Sequence, residues 1–566
     1  MADVFVGIDL GTTTTLIAKA VEINDSVNVS VLNVEQGQGV TMKYLPSLAY
    51  FPGGKKKPLV GLEAQQEGQQ DTTRFVRAVK RHMGRRIVIP QAGEMPYKIA
   101  SLYLKKVLDN ANYQVIGDFV FTVTVPASFT SNQRADTLKA LKLACDELNI
   151  EFPKKDPGQI FISEPVAAML AFLNKELEKP AELRRLNLDK INWVVVYDIG
   201  GGTCDLTLVF TEPKQSPVTS LADLTIQVKA ISYYNPFGGE DFDQLIAQEL
   251  HRRLIEAIPE LQSITLPEEE RASVRLQLMN VAKKVKETLS TQAGEQIESS
   301  IFDDEGEGNS YFYHDTIRIK GKSYSLEGTM TWEELIKVVE PLLSGNSRKS
   351  LITPLADLLN KNKRNPEKLD GLLIVGGMGR LPLVEQKLKE FWGSNQVWVY
   401  QPPDHAVVTG AAIYSYLRKS CPGFTLEEPA ADSYYVRTEE GFDQILPSMK
   451  RLGDVKQYKL NSNSDKLVLQ IFAGEEPEAN KPADTIYHTL IHQGGTTIKL
   501  GKEYPKDTPV WIQMRYDGEG EEQNHTKVPW VYVWIAKYSE TEWKYCLRYS
   551  DLIHEEPKEE RHVQSL

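Results

Sequence analysis

One phrase occurs twice in this chain: an apolar strand that runs into an aspartate, then a glycine turn, then threonine. The first copy is VFVGIDLGTTTT, Val4–Thr15, and the second is WVVVYDIGGGTCD, Trp193–Asp205. A strand ending in Gly and Thr offers backbone N–H groups and a hydroxyl to phosphate oxygens. The glycines let that backbone approach closely, with no Cβ in the way. Two such hairpins facing each other make a nucleotide clamp with acidic walls.

The acidic walls define the ligand further. Asp9, Asp198 and Asp205 cannot face phosphates directly, because two unit charges about 4 Å apart repel by roughly 4 kcal/mol at an effective dielectric near 20. A divalent cation between them reverses the sign. Mg²⁺ keeps much of its water and is commonly held by one or two carboxylates, so the pattern implies a magnesium nucleotide. An ordinary glycine hairpin with solvated aspartates remains open for either copy alone. There is no GxxxxGK[ST] loop, which excludes the P-loop class. The glycines of GGMGR, Gly376–Arg380, lack the later glycine of a dinucleotide fingerprint. That loop still joins strand LLIV to helix PLVEQKLKEFW and suits a nucleoside or phosphate arriving at a strand end.

At 566 residues the chain exceeds what one core serves, so two to four domains are expected. The formal charge is −12, from 65 basic and 77 acidic residues, which gives no general attraction to nucleic acid. Cys145, Cys204, Cys421 and Cys546 are too scattered for a metal pair or a disulfide framework. The first strand begins at Val4 with no room before it for a signal peptide, and no apolar run reaches membrane-span length. The expectation is a soluble cytoplasmic protein without membrane or nucleic-acid partners.

Strands and helices alternate up to about Lys419, which predicts α/β architecture. FVFTVTVP, QIFISEP, LTIQVKAIS and GLLIVGG read as further strands. After FVFTVTVP a helix is predicted, with Thr130 and Gln133 spaced as a capping box and Leu138, Leu141, Cys145 and Leu148 on one face. Pro165 opens another helix. Helices are predicted over Glu240–Ile258, Ala272–Leu289 and Glu333–Leu343, with Thr331 and Glu334 as a second capping box. From Lys419 to Ser433 the pattern breaks into a linker. Beyond it LVLQIFAGE, DTIYHTLIHQ, TPVWIQMRYDGEG and WVYVWIAKY are β-branched or aromatic runs between turns, the pattern of an antiparallel sandwich.

GIDLGTT, VTVPASFTSNQR, ISEPVAAML, YDIGGGTCDLTL, NPFGGEDFD, LIVGGMGRLPLV and QPPDHAVVTGAA follow the order found in the seventy-kilodalton heat-shock chaperone family. That family is a branch of the actin-like ATPases, and the chain resembles it over nearly all of residues 1–420. The resemblance implies an α/β fold: an actin-like ATPase domain of two lobes with a duplicated core over residues 1–420. A linker over 421–432, a β-sandwich-like substrate domain over 433–550 and a disordered tail over 551–566 would follow. It implies a chaperone that binds ATP or ADP with Mg²⁺, and with K⁺ as a further ion, and hydrolyses ATP to ADP and phosphate. The implied partners are an unfolded polypeptide or dedicated client, a J-domain co-chaperone and a nucleotide exchange factor. A small-molecule kinase and a filament-forming ATPase are the alternatives on the same fold.

Motif by motif, the resemblance also implies roles. Thr12, Thr13, Gly201, Gly202 and Thr203 stand at the β- and γ-phosphates, with Gly11, Thr14 and Gly200 completing the hairpins. Asp9 and Asp205 match the carboxylates around the metal ions, and Asp198 one near the attacking water. Lys80, in FVRAVKRHMGRR, matches the lysine that orients water toward the γ-phosphate; by itself that basic run reads as a solvated face. Glu164 matches a glutamate beside metal and water, or simply favours a helix start. Gly238, Gly239, Glu240, Lys286, Ser290, Gly376, Gly377, Met378 and Arg380 match the nucleotide-binding positions, Lys286 and Ser290 on the nucleoside. Asp404 lies by the ribose in the family, or caps the helix near Ala406. Glu287 stands where some members carry a stacking Arg, and Met378 and Gly379 replace Ser and Thr. The linker offers only Phe424 and Leu426 where the family has a Leu-rich docking patch, and no lid pattern follows the strands.

Overall fold

The computed structural model describes residues 4–548, except 24–25, 38, 55, 86, 113–118, 130, 153–159, 233–234, 236, 300–308, 345–348, 394–395, 429–432, 439–440, 448–452, 455, 475–490, 517–528 and 536–544. In the first lobe β1 (Val4–Leu10) pairs antiparallel with β2 (Thr14–Ile23), and β2 with β3 (Ser26–Val31). On its other edge β1 pairs parallel with β4 (Phe119–Val125), and β4 with β5 (Phe161–Ser163). The second lobe repeats this arrangement. There β6 (Asn192–Ile199) pairs antiparallel with β7 (Cys204–Pro213), and β7 with β8 (Leu224–Ile231). On the other side β6 pairs parallel with β9 (Gly371–Val375), and β9 with β10 (Val397–Val399). Strand order and strand sense are the same in both sheets. The central strands carry continuous apolar runs because both their faces are covered; β9, GLLIV, is buried at every position.

Helices α1 (Pro96–Asn112) and α2 (Ser131–Leu148) close the outer face of the first sheet, with Leu104, Leu108, Leu141 and Cys145 buried against Val6, Ile8 and Val123. Leu138 and Leu148 pack on the same core. Thr130, expected as the cap of α2, lies outside the described residues. The inner faces of both sheets share a second core, filled by α3 (Glu164–Leu177) and α8 (Ala406–Ser420). Phe5 of the first sheet and Val194 and Val196 of the second belong to that one cluster. Glycine brings the elements together: a Cβ on Gly410 would sit 1.6 Å from the Ala167 carbonyl oxygen, and one on Gly7 would sit 2.2 Å from the Ala412 nitrogen.

A third core lies outside the second sheet, under α4 (Gly239–Ala257), α5 (Glu268–Ser299), α6 (Trp332–Ser344) and α7 (Pro382–Trp392). Thr331 and Glu334 form their capping box: the Glu334 N–H donates to Thr331 Oγ1 at 3.2 Å, and the Thr331 N–H to Glu334 Oε2 at 3.0 Å. Helix α5 is longer than its apolar spacing predicts, and a two-stranded hairpin, Ser310–Ile319 with Lys322–Thr331, covers part of it without a sequence expectation.

The segment expected as a bare linker adds a strand. β11 (Thr425–Glu427) pairs parallel with β8, Leu426 opposite Ile226, at the edge of the second sheet. Phe424 is buried edge-on to Tyr414, and Leu426 packs against the shared core. Two apolar residues therefore suffice for docking, because backbone pairing along the β8 edge does the rest. Glu428 then reaches the first lobe, where its carboxylate accepts from the Ser163 N–H at 3.2 Å and from the Ser163 hydroxyl.

From Ser433 onward every described element is a strand, arranged in two four-stranded antiparallel sheets. The first holds β12 (Ser433–Thr438), β13 (Gly441–Leu446), β15 (Ser464–Gly474) and β16 (Ile491–Tyr504); the second holds β14 (Lys456–Lys459), β17 (Pro509–Tyr516), β18 (Pro529–Ile535) and β19 (Tyr545–Arg548). The two are stitched by Asp443, which accepts from the Tyr458 hydroxyl at 2.8 Å and from Lys456 at 3.2 Å. Most of the DTIYHTLIHQ run and the whole 551–566 tail lie outside the described residues. No helix among the described residues is long and apolar enough to cross a membrane.

Candidate functional site

The two repeated turns meet. A Cβ on Gly201 would lie 2.1 Å from Thr13 Oγ1, so the second hairpin rests directly on the first across the lobes. The first turn is pinned from below: Ser47 donates its hydroxyl to Gly11 O at 2.9 Å and its N–H to Thr13 O at 2.8 Å. The second is closed by the Gly200 N–H donating to Thr203 O at 3.0 Å. It is seated on the start of α4, where the Gly239 and Glu240 N–H groups donate to Gly200 O and Gly201 O at 3.0 and 2.6 Å. Gly238 has no room for a side chain there, since a Cβ would stand 2.7 Å from Gly200 O and Gly202 N. The hydroxyl of Thr13 is buried without a hydrogen-bond partner. A buried donor left unmade costs about 1–3 kcal/mol, which marks this position as one awaiting a ligand.

Behind the turns, four carboxylates face one ammonium. Lys80 is buried beside Glu164 and donates to Glu164 Oε1, with the Phe129 ring 5.7 Å away. The solvated-face reading of Lys80 is thereby excluded. Asp9, at the end of β1, accepts from the Thr124 hydroxyl at 2.9 Å, and Asp205, at the start of β7, from the Ser128 hydroxyl at 3.3 Å. Asp198 and Asp205 stand directly opposite in the β6–β7 ladder, a like-charge pairing that destabilises a sheet. Burial, with Glu164 adding to it, pushes Asp9 up to about 6 and Asp205 up to about 7. Burial and the neighbouring carboxylates of Glu164 and Asp205 hold Asp198 well above the usual carboxylate range. For Lys80 burial alone would lower the value, but Glu164 and Asp9 outweigh it and hold the ammonium charged.

This is an excess of buried negative charge that protein groups do not neutralise, and it fits a divalent cation. Among the described residues no three His, Cys, Asp or Glu side chains converge as a direct cage. Asp9 and Asp205, at the ends of the two hairpin strands, are the residues that could hold such an ion through its waters.

A second group of expected residues lies beyond the second turn. Lys286 is buried and donates to Gly239 O at 3.1 Å, while Asp243 holds its ammonium at 2.7 Å. Ser290 donates to Arg380 O at 3.0 Å, and Arg380 pairs with Asp404 at 2.6 Å. Asp404 does not cap α8: the residue before that helix is His405, and no side chain bonds its first turn. A Cβ on Gly239 would meet Met378 Sδ at 3.0 Å, and one on Gly376, at φ 86°, would stand 2.4 Å from the Ile199 carbonyl oxygen and 2.6 Å from Asp198 Oδ1. Gly376 thus ties the nucleoside side to the carboxylate cluster, whereas nothing contacts the Cβ position of Gly377. Glu287 is exposed and pairs only loosely with Lys283, at 3.7 Å.

Sequence reasoning missed Arg81, Thr124, Ser128 and Asp243. All four lie in motifs already singled out; Arg81 follows Lys80 directly in FVRAVKRHMGRR and would have been flagged by asking what a second cation beside a phosphate turn contacts. Its guanidinium donates to Gly202 O at 2.7 Å and meets Glu240 at 3.3 Å, so it spans from the first lobe to the second. Thr12, Lys80, Arg81 and Thr203 surround a void of about 10 Å³.

Cys204 is fully buried, and burial pushes its thiol far up, as it pushes Cys145 up to about 12. Thiolate is the reactive form. We predict that a maleimide at neutral pH leaves both unlabelled in the native protein and labels both in denaturant; native labelling of Cys204 would show that its thiol is accessible and reactive.

Comparison with known proteins identifies the family. A family model described as Hsp70 protein matches residues 5–114 and 93–479. The chaperone protein DnaK of Thermotoga neapolitana is 26% identical over 541 residues, spanning 92% of this chain and 79% of that protein. That of Thermosipho melanesiensis is 28% identical over 540 residues, with the same shares.

Proposed function

The chain belongs to the Hsp70 protein family, and from that premise we propose that it is an ATP-dependent chaperone whose two lobes hydrolyse magnesium ATP to bias a C-terminal β domain. The observation that carries this reading is the meeting of the Gly201 and Thr13 turns over buried carboxylates and the Lys80–Glu164 pair. Phosphoryl transfer needs positioning and charge neutralisation more than covalent chemistry. The N–H groups of Thr12, Thr13 and Gly201–Thr203 cradle the β- and γ-phosphates. Lys80 lies against the γ-phosphate and orients water, and Glu164 and Asp198 accept hydrogen bonds from that water. Asp9 and Asp205 would hold Mg²⁺, which would supply neutralisation of phosphate charge; K⁺ is assigned to the same carboxylates. On the nucleoside side Lys286, Ser290, Arg380 and Asp404 serve the ribose and base.

The client is an unfolded polypeptide or a dedicated protein taken by the 433–550 region, with a J-domain protein and an exchange factor as assisting partners. The family does not favour the small-molecule kinase or filament readings. Coupling runs through β11, which joins the β8 edge and carries Glu428 to Ser163, the residue before Glu164. The test is ATP turnover by the full chain with and without an unfolded polypeptide. Stimulation is expected in the wild type. Leu426→Asp, which puts a charge against the shared core, should abolish stimulation while leaving measurable basal turnover, since it alters none of the residues assigned to the nucleotide. Absence of stimulation in the wild type would remove the chaperone reading, and stimulation surviving Leu426→Asp would remove this route.

Base recognition should be loose, because the stacking position holds the exposed Glu287. We predict that ATP and inosine triphosphate bind within about fivefold of each other, a difference of roughly 1 kcal/mol. A hundredfold preference in a competition titration would show that another residue reads the base.

A further inference from the structure

A second cavity, of about 380 Å³, opens between the lobes at the edge remote from β11. Its size falls in the range of small-molecule sites. The first lobe contributes β3, Lys43 and the last turns of α3; the connection from β10 to α8 contributes Tyr400 and His405. The walls are unusual in their charge. Lys175 lies over the Tyr400 ring, 4.1 Å from its centroid, and donates to the Gln401 carbonyl. Lys43 donates to the Val31 carbonyl at 2.7 Å. Among the described residues neither ammonium lies within ion-pair distance of a carboxylate. Glu178, the acidic residue of the rim, is engaged by the Asn174 amide at 3.0 Å.

An ammonium carries three N–H donors. With one given to a carbonyl, each lysine keeps two for a ligand. Lys175 is half-buried, and burial lowers its pKa. His405 is likewise lowered by burial, with Asp404 opposing and Arg380, Lys43 and Lys175 adding to it, and all three groups line the cavity. Two ammonium groups, one exposed and one partly buried, without a carboxylate at ion-pair distance among the described residues, line a concave space that an oxyanion matches.

We propose that this cavity is a binding site for a small oxyanion, a phosphate- or carboxylate-bearing metabolite held by Lys43 and Lys175 with His405 as a third donor. The site is separate from the nucleotide clamp: the 400–405 connection walls it on one side and presents Asp404 to Arg380 on the other. A ligand here would bridge the first lobe and the connection that leads into α8.

The test is calorimetric titration of the full chain with sulfate, and separately with succinate, in the absence and presence of saturating Mg-ADP. One site is expected for at least one probe, retained with Mg-ADP present; sulfate alone would indicate a phosphate-type ligand and succinate alone a carboxylate-type ligand. Lys175→Gln and Lys43→Gln should each weaken it at least tenfold, while Lys229→Gln, on an exposed strand position elsewhere, leaves it unchanged. Melting curves confirm that each variant is folded. Equal binding by the wild type and both cavity variants, binding lost on adding Mg-ADP, or no binding of either probe would overturn the proposal.

Discussion

Lys80→Met should lower ATP turnover by about 100- to 1000-fold, the loss seen when one preorganised donor to a transition-state oxyanion is removed. Nucleotide affinity should change far less, because the turns at Thr12–Thr13 and Gly201–Thr203 hold phosphates through the backbone, which the substitution leaves in place. The same change removes the ammonium that faces three buried carboxylates, Glu164, Asp198 and Asp205, and the partly buried Asp9. Breaking a buried pair by deleting one partner costs about 3–5 kcal/mol, so the nucleotide-free variant should also melt earlier. Mg-ADP should restore part of that loss by mass action. Single-turnover kinetics separates the two effects: the chemical step slows even at saturating Mg-ATP, under conditions where circular dichroism reports a folded protein. Unaltered single-turnover rates would place the chemistry elsewhere, whatever the melting curve does. Lys80→Arg is a useful companion, because it keeps the charge but not the compact ammonium geometry.

Gly410→Ala should be among the most damaging single substitutions in the chain despite adding one methyl group. Its Cβ would stand 1.6 Å from the Ala167 carbonyl oxygen and 2.3 Å from the Ala167 carbonyl carbon. Both are backbone atoms of a helix, so no side chain can rotate away. The helices α3 and α8 would have to separate, opening the core that both sheets share. Overpacking typically costs about 1–3 kcal/mol, and a clash against rigid backbone belongs at or above the top of that range. We expect the melting midpoint to fall by several degrees. Gly423→Ala, where nothing lies within 4 Å of the Cβ position, should stay within about 0.5 kcal/mol of wild type. A Gly410→Ala protein with an unchanged midpoint would mean that the two helices are not packed this closely. Because α3 begins at Glu164 and α8 follows Asp404, the surviving folded fraction should also turn over ATP more slowly.

What could be read from the sequence was what short-range physics determines. The strand at Val4–Leu10 and the strand at Asn192–Ile199 announce themselves by continuous apolar runs ending at Asp, and the Thr331–Glu334 cap by a three-residue spacing. The pairing of Thr425–Glu427 with β8 was not legible, because a three-residue strand has no period and its partner lies 200 residues upstream. The same holds for Glu428 on Ser163, for Asp243 on Lys286 and for the reach of Arg81 to Gly202: each is a long-range polar contact between residues that look solvated in isolation. Asp404 shows the opposite failure. Its local context suggested a helix cap, and the tertiary partner Arg380 took the carboxylate instead.

The crossing of α3 and α8 at Gly410 and Ala167 has a mechanical consequence. Two helices in backbone contact have no side chain there to give way, so a shift of one is passed to the other rather than absorbed. Glu428 meets Ser163 just before α3 begins and Lys175 lies in its last turn, with Ala167 between them along the helix.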